Sequence, residues 1–161
     1  MHMEGRFTVS APQTDVYAFL TDPRRVCLHM PDVTNVEIQD DDRFTVTARV
    51  GVSHIKGTMV MKLEIRDRRP PIGTTIVGRG TGLASVVDMV TSFTLEPSPG
   101  AGGPGRHPPE TLVRWQGEVA ISGKLAAFGP QGLLDRMARK NVDAFIDGIR
   151  AGLSPHDGSR V

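Results

Sequence analysis

Residues 130–153 read PQGLLDRMARKNVDAFIDGIRAGL. Leu134, Met137, Ala138, Val142, Phe145, Ile146, Ile149 and Leu153 recur at spacings of three and four, while Arg136, Arg139, Lys140, Asp143, Asp147 and Arg150 fall on the opposite side. That period predicts one long amphipathic helix over about 130–153, with an apolar stripe that must be buried against something. The chain before it is written in period two. Phe44, Val46, Ala48, Val50 and Val52 alternate with Thr45, Thr47 and Arg49. Met59, Met61, Leu63 and Ile65 alternate with Thr58, Lys62, Glu64 and Arg66, and Val113, Trp115, Val119 and Ile121 alternate with Arg114, Gln116 and Glu118. Further strands are expected near 33–39, 74–82 and 85–95. Alternation of this kind predicts antiparallel strands with one dry face and one wet face.

Upstream, Met3, Gly5, Phe7 and Val9 share one face of a first strand. Ser10-Ala11-Pro12 then opens a helix carrying Val16, Tyr17, Phe19 and Leu20, which stops near Asp22-Pro23. A second short helix fits 24–30 and is closed by Pro31. The order is thus one strand, two short helices, about six strands and one long helix. A sheet with a single apolar face needs a cover, and only the last helix is large enough. The predicted class is α+β: a curved antiparallel sheet of about seven strands wrapped around a long C-terminal helix, the helix-grip arrangement. Such a fold places a cavity between sheet and helix.

Composition narrows the function classes. The 161 residues are 39% hydrophobic and 23% charged, which is globular rather than disordered. Lys and Arg number 19 against 18 Asp and Glu, so the basic excess of a nucleic-acid binder is missing and no nucleic-acid partner is expected. The single cysteine, Cys27, excludes an internal disulfide framework and any multi-cysteine metal site. No apolar run approaches the ~18 residues of a spanning helix, and no signal-peptide core opens the chain. A soluble cytoplasmic protein is expected, with membrane contact peripheral at most. Between Pro97 and Pro109, nine of thirteen residues are Gly or Pro, which predicts a long loop. One domain is expected over 1–153, followed by a flexible polar tail at 154–161.

Several segments together resemble a known family. They are EGRFTVSAPQTDVYAFLTDPRRV at 4–26, LHMPDV at 28–33, DRFTVTARVGVSHIKGTM at 42–59 and VGRGTG at 77–82. SFTLEP at 92–97, VRWQGEVAISGKLAAFG at 113–129 and ARKNVDAFI at 138–146 complete the set. In this order and spacing they resemble the G-subunit family of carbon monoxide dehydrogenase, within the START-like and polyketide-cyclase-like superfamily. The resemblance implies a fold with an internal lipophilic pocket and an accessory role beside a molybdenum hydroxylase such as carbon monoxide dehydrogenase. That role would be membrane recruitment, maturation, or supply of a lipophilic electron carrier such as a quinone. Members often carry a longer C-terminal extension suited to membrane attachment, whereas this sequence ends at GLSPHDGSRV.

Strand parity turns Met59, Met61, Leu63, Val87, Met89, Phe93, Val113, Trp115 and Val119 inward, and Met137 and Phe145 face them from the helix. The ligand-binding set expected from this is Met59, Met61, Leu63, Val87, Met89, Phe93, Trp115, Met137 and Phe145. The methionines read either as a soft wall for a flexible apolar ligand or as plain core. Trp115 reads as a stacking surface or as core, and Gly78, Gly80 and Gly82 as room for a ligand or helix or as a place for the sheet to bend. No catalytic residue, metal ligand or cofactor is expected. His2, His29, His54, His107 and His156 show no zinc spacing, and Asp40-Asp41-Asp42 reads as a hairpin turn rather than a calcium loop. Acid–base chemistry would need polar groups converging in the cavity, such as an inward Arg79 or a water between Asp88 and Thr91. The leading expectation is therefore a non-catalytic accessory protein binding a lipophilic small molecule. The alternatives are a small START-like cyclase or hydrolase, and a pure protein-interaction module.

Overall fold

The computed structural model describes residues 1–30, 32–52, 54–98 and 109–153. Strand β1 (His2–Val9) leads into helices α1 (Gln13–Leu20) and α2 (Pro23–Val26), and a 3-10 turn follows at Cys27–His29. Then come β2 (Val33–Ile38), β3 (Arg43–Val52), β4 (Ile55–Arg69), β5 (Gly73–Gly82), β6 (Ser85–Pro97) and β7 (Thr111–Gly123). A 3-10 segment (Lys124–Gln131) precedes helix α3 (Leu133–Gly152). Among the described residues the strands form one curved antiparallel sheet in the order β1-β7-β6-β5-β4-β3-β2. From β2 to β7 each strand pairs with the next, so only the passage from β1 to β2 crosses the sheet. Helices α1 and α2 occupy that crossing. The bulk of the loop expected at Pro97–Pro109 (99–108) and the tail at 154–161 lie outside the described residues.

Local chemistry sets the element ends. Pro12 caps α1 from an extended conformation, and Asp22 accepts the Arg24 N–H at 3.0 Å to open α2, with Pro23 in its first turn. The triple-aspartate turn is a hairpin. Asp40 accepts the backbone N–H groups of Asp42 and Arg43 at 2.9 and 2.8 Å, and those bonds hold its carboxyl below the usual range. Arg68 reaches Asp42 at 2.7 Å, and Arg66 pairs with Glu64 at 2.8 Å, so two of the arginines near Asp67 are engaged in local ion pairs.

Several boundaries differ from the sequence reading: the second short helix expected at 24–30 is α2 followed by the 3-10 turn, and β6 runs on to Pro97. The long helix starts at Leu133 rather than near Pro130, because Gly132 sits in the left-handed region at φ 74° and the preceding residues wind as 3-10. Leu125 and Phe128 are spaced by three, the 3-10 repeat, and Leu125 is fully packed. Strand β4 runs to Arg69, past a register shift between Arg66 and Arg69. Asp67, at φ 54°, marks the bulge.

Among the described residues the buried core forms two clusters. The larger gathers Val16, Phe19, Leu20 and Cys27 from the helical crossing with Phe44, Leu63, Phe93, Leu95 and Val113 from the sheet and Ile149 from α3. The smaller joins Met59, Leu125 and Leu134, with Met61, Val87, Phe128 and Met137 packed against it. Helix α3 is therefore fixed near each end. At its C-terminal end, a Cβ on Gly148 would collide with the His29 backbone carbonyl, and one on Gly152 would lie 2.6 Å from the Phe19 ring. Among the described residues no helix is long and apolar enough to cross a membrane.

This packing has two measurable consequences. Gly123, at φ +89°, sets the exit from β7, and a Cβ there would meet the Ala84 carbonyl oxygen and lie 2.8 Å from the Ser85 Cα. Gly123→Ala is expected to cost about 2 kcal/mol, a drop of roughly 4–8 °C in melting midpoint. Gly51→Ala, whose Cβ meets nothing closer than 3.8 Å, should leave it nearly unchanged; equal midpoints for both variants would refute the close-approach account. Cys27 is buried, and burial followed by the nearby Asp22 charge raises its thiol to about 11. Its thiolate fraction at pH 8 is then about 100-fold below that of an ordinary thiol. A thiol reagent at pH 8 is expected to leave the native protein essentially unmodified and to titrate Cys27 fully in denaturant.

Candidate functional site

The antiparallel register stacks the inward side chains into rows across the sheet. One row runs Val46, Met61, Gly80, Val87 and Ile121, and the next runs Phe44, Leu63, Gly78, Met89 and Val119. Nearer the α1 end, Thr74, Phe93, Trp115 and Gly5 form another. The strands thus bring Met59, Met61, Leu63, Val87, Met89, Phe93 and Trp115 to one face of the sheet, and Met137 and Phe145 on α3 pack against clusters that include them.

The glycines of β5 act as sockets on this face. A Cβ on Gly78 would lie 2.6 Å from Leu63 Cδ2 and 3.1 Å from Met89 Cγ, and one on Gly80 would lie 3.0 Å from Met61 Cγ and 3.1 Å from Met59 Sδ. Leucine and methionine side chains from the flanking strands fill the space, not α3. Gly82 approaches backbone instead, at the Thr58 carbonyl. Gly5 makes room for the indole: its Cβ would be 3.0 Å from Trp115 Cζ2 and Nε1.

Burial is graded across the set. Met59, Leu63 and Phe93 are buried, whereas Met61, Val87, Met89, Trp115, Met137 and Phe145 keep partial exposure. The same holds along α3. Leu134 and Ile149 are buried, but Met137, Ala138, Val142, Phe145 and Ile146 between them are only half-buried, although they form its apolar stripe. The α3 backbone comes closest to the two 3-10 segments, α2 and the β3 side of the sheet, rather than to β5 and β6.

Titratable groups are scarce on this face. From β1 to β7, and on β4 as far as Ile65, the inward positions carry no carboxylate, imidazole or amine. Arg79 points to the outer face, where it is exposed and pairs with Asp88 at 3.6 Å. The outer face also holds two shallow clefts. One, of about 480 Å³, is lined by Glu4, Arg6, Ser92, Thr94, Arg114 and Gln116; the other, of about 670 Å³, lies over Lys62, Glu64, Val77, Arg79 and Asp88. On the same face His2 sits between Glu4 and Glu118, whose hydrogen bonds hold its pKa above the ordinary value. Sequence spacing hides that cluster, because pairing of β1 with β7 creates it. Among the described residues no group of three or more His, Cys, Asp or Glu side chains is placed to hold a metal. The polar feature missed on the inner side is Tyr17, whose side chain is buried in the larger cluster.

Solved structures share this architecture at low sequence identity. A conserved protein from Geobacillus kaustophilus superposes with a TM-score of 0.81 at 19% identity, covering 96% of this chain and 95% of its own. The protein TTHA0849 from Thermus thermophilus gives 0.66 at 14%, covering 95% and 97%. A START superfamily protein from Mycobacterium smegmatis gives 0.66 at 9%, covering 94% and 96%. These likenesses establish the START-like fold. No curated protein matches the sequence. The family model for the carbon monoxide dehydrogenase G-subunit (CoxG) matches residues 5–154, nearly the whole chain, and the protein belongs to that family.

Proposed function

We propose that the protein is a non-catalytic accessory component that binds a lipophilic small molecule, a quinone or a lipid, between the inner face of the sheet and α3. The observation that carries this reading is the half-buried apolar stripe of α3 between Leu134 and Ile149, in a fold whose sheet also leaves Met61, Met89 and Trp115 half-buried on its inner face. A two-layer fold with no ligand to accommodate would close such a stripe by packing. Here both ends of the helix are packed and the middle keeps accessible apolar surface. Methionines suit this role because an unbranched thioether re-packs around guests of different shape at low cost.

The magnitudes are compatible with binding. An apolar ligand burying ~400 Å² gains on the order of 10 kcal/mol at ~25 cal/mol per Å². Association and ordering consume ~4–15 kcal/mol of it, so affinity depends on how well the site is pre-formed. Catalysis finds little support, since Arg79 is turned outward and the inner face offers no acid–base pair. Family membership supports service to a molybdenum hydroxylase of the carbon monoxide dehydrogenase type, by maturation, membrane recruitment or carrier supply. In this reading residues 1–153 act as one binding unit, in the cytoplasm or at the periphery of the membrane.

Native mass spectrometry of protein purified from its own host, followed by solvent extraction, tests the reading. A quinone or lipid at about one equivalent is the expected result. Met89→Gln sets an unpaired amide against the ligand and is expected to lower loading by about tenfold, while the melting midpoint moves by only a few degrees. An empty protein that still captures its hydroxylase would place the activity on the surface instead.

A further inference from the structure

Among the described residues, buried side-chain hydroxyls are partnered, with one exception. Thr21 Oγ1 donates to the Tyr17 carbonyl at 2.7 Å, Thr74 Oγ1 to the Arg66 carbonyl at 2.7 Å, and Thr111 Oγ1 to the Ala11 carbonyl at 2.7 Å. Ser85 Oγ donates to the Leu83 carbonyl at 3.0 Å and accepts the Leu125 N–H at 2.8 Å. Tyr17 is only 6% exposed, yet its Oη makes no hydrogen bond to the protein, alone among the buried side-chain polar atoms of the described residues. An unpaired buried hydroxyl shifts a folding equilibrium by about tenfold or more, so it calls for an explanation.

Its position suggests one. Gln13 Nε2 donates to the carbonyls of Pro71 and Leu95 at 2.9 and 3.1 Å, which ties α1 to the β4–β5 turn and to the last part of β6. Tyr17 lies one helical turn further on, on the face of α1 that Gln13 turns to the sheet. Its ring belongs to the cluster that contains Phe93 and Leu63, against which Met61, Met89, Trp115 and Phe145 pack. Tyr17 thus belongs to the same packed cluster as residues assigned above to the ligand, with its Oη enclosed and unpaired.

We propose that Tyr17 Oη is the polar anchor of the site and donates a hydrogen bond to an oxygen acceptor, such as a carbonyl, on an otherwise apolar ligand. The ligand class is then an amphiphile with its oxygen at the α1 end and its hydrocarbon along Met61, Met89 and Trp115. This rests on the apolar-site reading and adds to it a chemical requirement and an orientation. Few polar groups in a mostly apolar pocket are what fix a ligand's pose.

A matched pair of probes tests it: a hexyl-substituted naphthoquinone and hexylnaphthalene, titrated calorimetrically into the wild type, Tyr17→Phe and, as a second variant lacking the hydroxyl, Tyr17→Met. The wild type is expected to prefer the quinone by about five- to tenfold, the worth of one buried hydrogen bond. Tyr17→Phe should lose that preference, bind the hydrocarbon within about twofold of wild type, and melt at least as high when free. A quinone preference unchanged in Tyr17→Phe and Tyr17→Met overturns the anchor and leaves the apolar site standing. Failure of the wild type to bind either probe overturns the apolar site itself and the anchor with it.

Discussion

One helix has to cover one face of a seven-stranded sheet. A helix with its side chains is roughly 10–12 Å across, whereas seven flat strands at about 4.8 Å spacing would span roughly 29 Å. A flat sheet would leave most of its apolar face in water. Curvature around α3 removes that mismatch, and the chain order favours it, because the strands from β2 to β7 are sequential neighbours and can curl without threading. Helices α1 and α2 run between the edge strands β1 and β2, and the 3-10 segment that follows β7 packs Leu125 and Phe128 with Met59 and Leu134.

Clamping α3 at two ends has a consequence for its middle. At the C-terminal end the absence of side chains at Gly148 and Gly152 lets the helix backbone come against His29 and Phe19. At the N-terminal end Leu134 meets Met59 and Leu125. Between these points Met137 and Phe145 pack against the clusters but keep partial exposure. Gly78 and Gly80 draw the methionine and leucine side chains down onto the sheet, which removes bulk from the space below the helix. In the proposed reading, these features leave the middle of α3 as the place where an apolar guest would be received.

Much of this was legible in the sequence. The period-two alternation fixed which side of β4, β6 and β7 turned inward, and the register confirmed it, because a regular ladder cannot slip without exposing every apolar residue at once. The period of α3 was equally plain. Less legible was anything decided by contact between distant segments. The late start of α3 depended on Gly132 adopting a left-handed conformation and on Leu125 finding the Met59 pocket. The bulge at Asp67 interrupted a pattern that read as finished at Arg66. Tyr17 read as one more apolar residue of α1, since a sequence shows that a tyrosine is on a buried face but not whether its hydroxyl finds a partner.

That last difference bears on what the proposed site would discriminate. Apolar area gives affinity with little selectivity, because one methylene more or less is worth only about 1–3 kcal/mol and a methionine wall adjusts to it. Selectivity against plain hydrocarbons has to come from a polar group that is costly to leave unpaired. On the inner side the described residues offer few candidates: Thr91 is half-buried on β6, and Cys27, with its raised thiol, is a weak donor. Tyr17 is rigid, enclosed and an effective donor, held by a helix whose own attachment through Gln13 uses backbone carbonyls and leaves the tyrosine hydroxyl uncommitted. In the proposed reading, a fold that satisfies Thr21, Thr74, Ser85 and Thr111 internally while leaving this one hydroxyl unpaired would place its selectivity at the α1 end and its capacity along the methionines.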